Sequence, residues 1–346
     1  MSSFNLSSKA SNVIVACHST ELSNNERDLF AQMQPWGIIL FARNIQNPTQ
    51  VQKLIESIKV AMKRSELMVF IDQEGGRVSR LPSAFWRVPP APTVFAQMYQ
   101  SEPDIAKRAC FLNAWLTGIE LKASSINVNC APMIDITQQD SATIISERAL
   151  GNTTTAVIDL AREITKGLKR AGVAPVIKHM PGHGRATCDS HLELPKVDAS
   201  IAELNDVDFV PFKALNDESM AMSAHVLYSQ IDANSPATAS ATLIKEVIRS
   251  SIGFDGLLMT DDINMKALSG SIATRANRAI EAGCDIVLHC SGDFDEMKEL
   301  SEVATELTDD ALRRAQSAEK VAFHTPANTS AQDIEDELNS LLRRYS

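Results

Sequence analysis

The chain lacks the segments that would place it in a membrane or direct its export. Its 346 residues contain no apolar run long enough to span a bilayer, which takes about 18 residues. Residues 1–9 are polar and lack the apolar core of a signal peptide. No linker rich in Pro, Gly and Ser divides the sequence. We therefore predict a single domain over residues 1–346, located in the cytoplasm.

An excess of basic residues and closely spaced cysteines are also absent. The chain has 33 Lys and Arg against 43 Asp and Glu, and the net charge of −10 argues against nucleic acid or an anionic membrane as a partner. None of the six cysteines forms a Cys-x-x-Cys pair, which favours free thiols over disulfides or a thiolate zinc site. Gly75-Gly76 lacks the context of a nucleotide-binding Gly-x-Gly-x-x-Gly motif.

Apolar runs typical of buried strands alternate with stretches of helical spacing. The candidate strands are Asn12–Cys17, Trp36–Phe41, Leu67–Ile71, Ile126–Cys130, Val173–Ile177, Met220–Ala224, Gly256–Thr260 and Asp285–His289. Helical spacing between them is clearest in Ala156–Gly172 and Ala273–Gly283. This alternation predicts an α/β protein with a closed, TIM-type (β/α)₈ barrel. A terminal helix is predicted at about 330–346. A doubly wound open sheet is the alternative, but it would gather its functional residues at one switch point.

Polar side chains follow several of these predicted strands. Asp72 and Asp261 come directly after two of them, and the segment from Lys178 to His191 begins where a third ends. Pro181 and Gly182 break regular structure, so we expect this whole segment to be an irregular loop. In a (β/α)₈ barrel such positions meet at the carboxyl face, where active sites lie.

Four motifs in this order resemble glycoside hydrolase family 3: Asp72–Val78, Lys178–Gly184, Asp189–His191 and Thr260–Met265. They are similar to those of the single-domain β-N-acetylglucosaminidases that Gram-negative bacteria use in peptidoglycan recycling. The resemblance spans roughly residues 10–290. It departs at Met180, where Phe is usual, and at Arg185, which lies in a variable part of the loop and has no evident role.

The resemblance implies a retaining exo-β-N-acetylglucosaminidase without a cofactor. Its partner would be a small muropeptide or amino-sugar substrate, and we expect a monomer or a weak homodimer. Retaining glycosidases need a nucleophile and an acid/base. The family pattern makes Asp261 the nucleophile, although spacing alone would favour a helix-capping Asp. Asp262 is better interpreted as a local hydrogen-bonding residue.

The resemblance also implies that His191 is the acid/base and that Asp189 orients its imidazole. Outside this context the two residues would be interpreted as a surface turn. The sugar ring would be bound by Asp72, Arg80, Arg148, Lys178 and His179. A salt bridge between Asp72 and Lys178 is compatible with that role. His183 is interpreted as part of the loop architecture, and the role of His225 stays open.

Other chemistries were weighed against this one. His179-x-x-x-His183 has the spacing of helical zinc ligands, but the intervening Pro181 and Gly182 make a helix, and hence a metal site, unfavourable. A Schiff-base lyase using Lys178 leaves Asp261 without a role. A catalytically inactive sugar-binding protein is a further possibility. A β-N-acetylglucosaminide phosphorylase using the same Asp189/His191 pair is the main alternative, because a neutral His repels phosphate less than a carboxylate does.

Overall fold

The structure is a computed structural model that describes residues 9–138, 141–188, 190, 192–326 and 329–343. Its strands are β1 (Ser11–Ala16), β2 (Pro35–Leu40), β3 (Met68–Ile71), β4 (Gln73–Gly75), β5 (Val78–Ser79), β6 (Val128–Asn129), β7 (Ala174–Pro175), β8 (Ile177–Met180), β9 (Lys196–Val197), β10 (Met220–Ser223), β11 (Leu227–Tyr228), β12 (Leu257–Asp262) and β13 (Ile286–His289). Two small pairs lie outside the main sheet, β4 with β5 and β9 with β11.

The main sheet is a parallel barrel. Its strand order is β7-β6-β3-β2-β1-β13-β12-β10-β8. The first and last strands of this order are consecutive in the chain and are separated only by Val176, whose N–H donates to the Asn129 carbonyl. One stretch, residues 174–180, therefore pairs with β6 on one side and with β10 on the other. The (β/α)₈ barrel predicted from the sequence is confirmed.

Helices cover the outside of the barrel. They are α1 (Asn24–Met33), α2 (Pro48–Met62), α3 (Pro92–Ser101), α4 (Pro103–Ala123), α5 (Thr143–Ser146), α6 (Thr154–Arg170), α7 (Ile201–Glu203), α8 (Val210–Ala214), α9 (Ile272–Ala282), α10 (Phe294–Ser301), α11 (Asp309–Ala322) and α12 (Ala331–Leu342). Asn47 caps α2 ahead of Pro48, and Gly283 ends α9 with φ 114°. Within the described ranges, no helix is long and apolar enough to cross a membrane.

Alternate residues of each strand divide between two cores. In β1, Val13 and Val15 pack outward against the helices, whereas Ile14 faces the barrel interior with Trp36 and Phe70. The helix α11 closes the amino-terminal end of the barrel, where the buried Trp36 indole donates a 2.8 Å hydrogen bond to Glu319. Closing this end leaves the carboxyl ends of the strands as the open face.

The prediction of an irregular segment from Lys178 onward is wrong at its start. Residues Ile177–Met180 are a strand, with Lys178 paired to Met222 of β10. The sheet hydrogen bonds of β10 extend the strand up to Pro181, which has no N–H to donate. Lys178 and His179 are consequently held by the barrel wall itself.

The buried carboxylate of Asp285 joins helices to the amino ends of β12 and β13. It accepts hydrogen bonds from Arg249 at 2.7 Å, from Arg314 at 2.9 Å and from the Leu258 N–H at 2.8 Å. Arg314 also pairs with Asp255, whose side chain is 65% exposed. The two carboxylates therefore share an arginine but differ in burial.

We expect Asp285→Ala to lower the free energy of unfolding by about 3–5 kcal/mol, because it removes the carboxylate that pairs with two largely buried arginines and leaves the Leu258 N–H without its acceptor. The matched control Asp255→Ala should lower it by less than about 1 kcal/mol. Urea unfolding measures both. Equal losses would show that Asp285 does not tie the helices to the strands.

Candidate active site

A cavity of ≈ 300 Å³ opens among the carboxyl ends of the barrel strands. Six of the predicted site residues line it: Asp72, Arg80, Arg148, Lys178, His179 and Asp261. Asp189 and His191, the other two, lie outside the described residues. The volume is at the small end of the range for ligand pockets, which suits one sugar ring better than an extended chain.

Lys178 lies at the centre of a buried ion network on one wall of the cavity. Its Nζ is 3.0 Å from Asp72 Oδ1 and 2.6 Å from Glu74 Oε1. Arg148 donates two hydrogen bonds to Glu74, of 2.8 and 2.7 Å, and Arg80 Nη2 is 3.2 Å from Asp72 Oδ2. The side chains of Lys178 and Glu74 are only 3% and 2% exposed, so each charge depends on its partners.

The network keeps all of its members charged at neutral pH. Burial would raise the pKa of Asp72 and Glu74, but the nearby Lys178 and arginine charges outweigh it and hold both pKa values below their usual range. Burial would likewise lower the pKa of Lys178, yet the two carboxylates raise it above its ordinary value. A Schiff-base lyase needs a neutral amine, so the charge on Lys178 disfavours that chemistry.

The β4–β5 hairpin and the residues on either side of it carry three members of this network, Asp72, Glu74 and Arg80, and all three line the cavity. Asp72 follows β3 directly, and the chain then turns at Gly75, which has φ 107°. A Cβ at Gly75 would lie 2.2 Å from the Pro90 carbonyl oxygen, so only glycine fits there. The Gln73 side chain accepts the Arg80 N–H at 2.8 Å and fixes the return of the hairpin.

Asp261 lies near the end of β12 on the opposite side of the cavity. Its Oδ1 accepts the Asp262 N–H at 2.8 Å, and its Oδ2 is 3.9 Å from His179 Nε2. Burial would raise the pKa of Asp261, but the charges of His179 and His225 and the Asp262 N–H lower it to about 2. Asp261 is therefore a carboxylate with one oxygen free of a close hydrogen bond among the described residues.

Asp262 and His225 make hydrogen-bonding contacts at the end of β12. Asp262 Oδ1 accepts the N–H groups of Asn264 and Cys290, both at 3.0 Å, which is the local hydrogen-bonding role suggested by the sequence. His225 is fully buried, with Nδ1 2.8 Å from Thr238 Oγ1 and Nε2 3.0 Å from the Asp262 carbonyl oxygen. His225 thus holds the backbone next to Asp261 through the Asp262 carbonyl.

The imidazole of His179 stands between two carboxylates. Its Nδ1 lies 2.7 Å from Asp135 Oδ2, and its Nε2 faces Asp261. Asp135 is fully buried and also accepts the backbone N–H groups of His179 and His183. Asp135 thereby links the strand β8 to the loop that follows it.

His179 and His183 lie against each other. Their rings meet edge to face with centroids 5.5 Å apart. Across the part of the chain that the structure describes, no group of three or more His, Cys, Asp or Glu side chains is arranged to hold a metal ion. His183 is instead packed into the loop base, as predicted, with its Nε2 3.3 Å from Ser190 Oγ.

Several contacts fasten the start of the loop to the barrel. Arg185, which had no role in the sequence analysis, donates a 2.7 Å hydrogen bond to the buried carboxylate of Asp208. The Tyr228 hydroxyl donates to the Gly182 carbonyl, and the Ser190 carbonyl accepts the Ala267 N–H at 3.3 Å. The described residues on both sides of Asp189 are therefore anchored.

The sequence analysis missed Glu74 and Asp135 as site residues. Glu74 lies inside the Asp72–Val78 motif, and a second carboxylate two residues after Asp72 was the signal that could have indicated it. Asp135 follows the β6 strand in a segment that also contains Pro132. Nothing in its spacing reveals that it reaches His179, because the contact joins residues 44 positions apart.

Comparisons with known proteins agree with this geometry. Residues 7–322 match the family model described as Glycosyl hydrolase family 3 N terminal domain. A beta-hexosaminidase of Alkalilimnicola ehrlichii is 40% identical over 283 residues, which cover 81% of this chain and 80% of that protein. A beta-hexosaminidase of Neisseria meningitidis is 38% identical over 275 residues, covering 78% and 75% of the two chains. The crystal structure of NagZ from Neisseria gonorrhoeae in complex with N-trifluoroacetyl-D-glucosamine is similar with a TM-score of 0.86 and 31% identity, covering 96% of this chain and 98% of that one.

The buried His183 should make the stability of the protein depend on pH. Burial, with the charge of His179, lowers the pKa of His183 to about 4, whereas the unfolded chain protonates near its ordinary value of about 6.5. The unfolded state therefore binds the proton first as the pH falls, and roughly 3 kcal/mol of stability is lost between these two values.

We expect His183→Gln to make the stability depend less steeply on pH. The measurement is the free energy of urea unfolding at pH 7, 5.5 and 4.5. The control is His18→Gln, which replaces an exposed imidazole and should leave the slope unchanged. A His183→Gln slope as steep as that of the unsubstituted protein would contradict the prediction.

Proposed function

The chain belongs to glycoside hydrolase family 3 and is a glycoside hydrolase of the β-N-acetylhexosaminidase type, and we propose that it is a retaining exo-β-N-acetylglucosaminidase of cell-wall recycling. Its substrates would be muropeptide fragments with a terminal β-linked N-acetylglucosamine, such as N-acetylglucosaminyl-anhydro-N-acetylmuramic acid. The family model and the similar beta-hexosaminidases confirm the family resemblance predicted from four motifs. The observation that carries the proposal is the ionised Asp261 facing a ring-sized cavity.

In the proposed mechanism, the Asp261 carboxylate attacks the anomeric carbon while the glycosidic C–O bond breaks. His191, oriented by Asp189, donates a proton to the departing oxygen. His191 then takes a proton from water, which attacks the glycosyl-enzyme, breaks its bond to Asp261 and releases N-acetylglucosamine with its configuration retained. A low pKa suits Asp261 to the first step, because the carboxylate must be ionised to attack.

The opposite wall supplies groups for the sugar hydroxyls. Asp72, Lys178 and Arg148 are charged and therefore form strong hydrogen bonds. Arg80 lines the cavity beside Asp72, with its Nη2 3.2 Å from Asp72 Oδ2. His179 presents Nε2 to the same space.

The cavity rim supports an anionic aglycone. Arg77 lines the cavity and pairs with Glu147 at 2.6 Å, but both side chains are about half exposed. Such a pair contributes less than about 1 kcal/mol, so Arg77 can exchange Glu147 for a carboxylate of the substrate. Muropeptides carry such carboxylates, whereas chitin oligosaccharides do not.

The charge pairing in the cavity favours water over phosphate as the acceptor. Three of the cations that line it, Arg80, Arg148 and Lys178, pair with the carboxylates of Asp72 and Glu74. A phosphate entering the site would meet the Asp72, Glu74 and Asp261 charges, and among the cations of the described cavity lining only Arg77 at the rim could exchange its partner for it.

Product analysis tests substrate and acceptor together. The enzyme is incubated with N-acetylglucosaminyl-anhydro-N-acetylmuramic acid or chitobiose, with and without physiological phosphate. We expect free N-acetylglucosamine, released faster from the muramic acid disaccharide. A dominant N-acetylglucosamine 1-phosphate that increases with phosphate would establish the phosphorylase alternative instead, and faster cleavage of chitobiose would refute the muropeptide assignment.

Asp261→Asn should lower turnover at least about 1,000-fold, because the amide cannot form the glycosyl-enzyme. Asp262→Asn is the neighbouring control; its Oδ1 can still accept the same two N–H groups, so the loss should stay below about tenfold. A fluorinated N-acetylglucosaminide should label the peptide Met259–Met265 at Asp261. Labelling of Asp262 would overturn the assignment.

His191→Ala should impair natural disaccharides far more than aryl glycosides, because a nitrophenolate departs without a proton. Asp189→Ala should show a weaker form of the same bias. The measurement is kcat/KM for both substrate types. Equal losses on both would mean that His191 positions the sugar and does not transfer protons.

A further inference from the structure

The buried carboxylate of Asp135 has a geometry that controls one ring of the site. Its Oδ2 lies 2.7 Å from His179 Nδ1, while its Oδ1 accepts the His183 N–H at 2.6 Å. The His179 N–H is shared between the two oxygens, 3.3 Å from Oδ1 and 3.2 Å from Oδ2. The side chain is 0% exposed, so water does not compete for these contacts. Neither oxygen can turn away without leaving a buried N–H unpaired.

We propose that Asp135 is a positioning residue that keeps a proton on Nδ1 of His179 and so directs Nε2 of the ring toward Asp261. A carboxylate only accepts hydrogen bonds, so the ring nitrogen facing it must carry hydrogen. Nε2 is then the ring nitrogen that faces the cavity. The inference deepens the proposed function, since it rests on Asp261 being the nucleophile.

The charge on Asp135 is secure in this position. Burial would raise its pKa, but His179, His183 and the loop N–H hold it below its ordinary value. Asp135 therefore stays an acceptor throughout the working pH range. The tautomer of His179 is in this way set by a residue that lies outside the cavity lining.

Control of the tautomer has a consequence for the nucleophile. When Nε2 also carries a proton the ring is cationic, and its charge is the largest influence that lowers the pKa of Asp261 against burial. A ring protonated at one nitrogen alone, either Nδ1 or Nε2, is neutral and would exert no such influence. A carboxylate beside Nδ1 stabilises the doubly protonated ring relative to both neutral forms. Asp135 thus supports the ionised nucleophile through His179.

Other charged groups surround the same ring and do not replace Asp135. His183 faces it edge-on and stays neutral because its pKa is about 4, and His225 lies beneath Asp261. Lys178 precedes it on β8 and is compensated by carboxylates from β3 and β4. The remaining titratable or charged groups around the cavity are Asp72, Glu74, Arg77, Arg80, Arg148, Asp262 and Cys290. Asp135 contacts Nδ1 directly.

The first test needs no substitution in the measured protein. In protein labelled with ¹⁵N-histidine, the His179 signals are assigned by their loss in His179→Gln. We expect Nδ1 to carry hydrogen in the folded protein, because it faces the Asp135 carboxylate. A neutral ring protonated at Nε2 alone would overturn the proposal.

The second test is Asp135→Asn. Its Oδ1 must keep accepting the two backbone N–H groups, which turns the amide NH₂ toward Nδ1. We expect the ring to switch to the neutral Nε2–H form and the pKa of Asp261, followed by its ¹³C carboxyl signal, to rise by about one unit or more. The decrease of kcat/KM at low pH should then occur at a correspondingly higher pH.

Asp208→Asn is the matched control, because Asp208 is also buried at the base of the loop but contacts Arg185 and not His179. It should lower the melting temperature while the His179 and Asp261 signals stay in place. In the His179→Gln background, Asp135→Asn should cause no further change in the pKa of Asp261. A merely structural Asp135 would give the opposite results: lost stability with an unchanged tautomer.

The NMR measurements involve no substrate. They therefore separate a failure of this inference from a failure of the proposed function. Unchanged His179 signals in Asp135→Asn refute the inference even in an active glucosaminidase. A tautomer switch in a protein without glucosaminidase activity refutes only the proposed function.

Discussion

The buried ammonium of Lys178 holds together one wall of the candidate site. It projects from the barrel wall and meets carboxylates from β3 and from the β4–β5 hairpin. Each of these charges would be strongly unfavourable in this place without the others. A single set of compensating charges therefore holds three elements in one arrangement: the β4–β5 hairpin, the strand β8 and the segment after α5 that carries Arg148.

Much of this arrangement could be predicted because parallel strands bring their carboxyl ends together. Asp72 and Asp261 are far apart in sequence, yet each follows an apolar run, and the barrel places both at one cavity. The repetition of apolar runs and helical spacing was also enough to indicate the barrel. In the structure, Asn47 caps α2 and Gly283 ends α9, the positions that these residue types favour at helix ends.

What could not be predicted depends on contacts between distant residues. Asp135 carries no local pattern that distinguishes it from any other Asp after a strand, and its importance appears only where it meets His179. The extent of β8 was underestimated because Pro181 and Gly182 dominated the local interpretation, whereas the pairing with β10 decided it. The assignments of Asp189 and His191 still rest on the family motif.

The closure of the barrel at Val176 links folding to the site. Residues 174–180 are where the sheet begins and ends, and the same stretch carries Lys178 and His179. In a chain whose sheet has formed but remains open at β8, the ammonium and the imidazole are not held against their partners from β3, β12 and the segment after β6. A collapsed intermediate of this kind would have most of its secondary structure and no binding site. During refolding, sugar binding would then appear when the barrel closes, after most of the helix and sheet has formed.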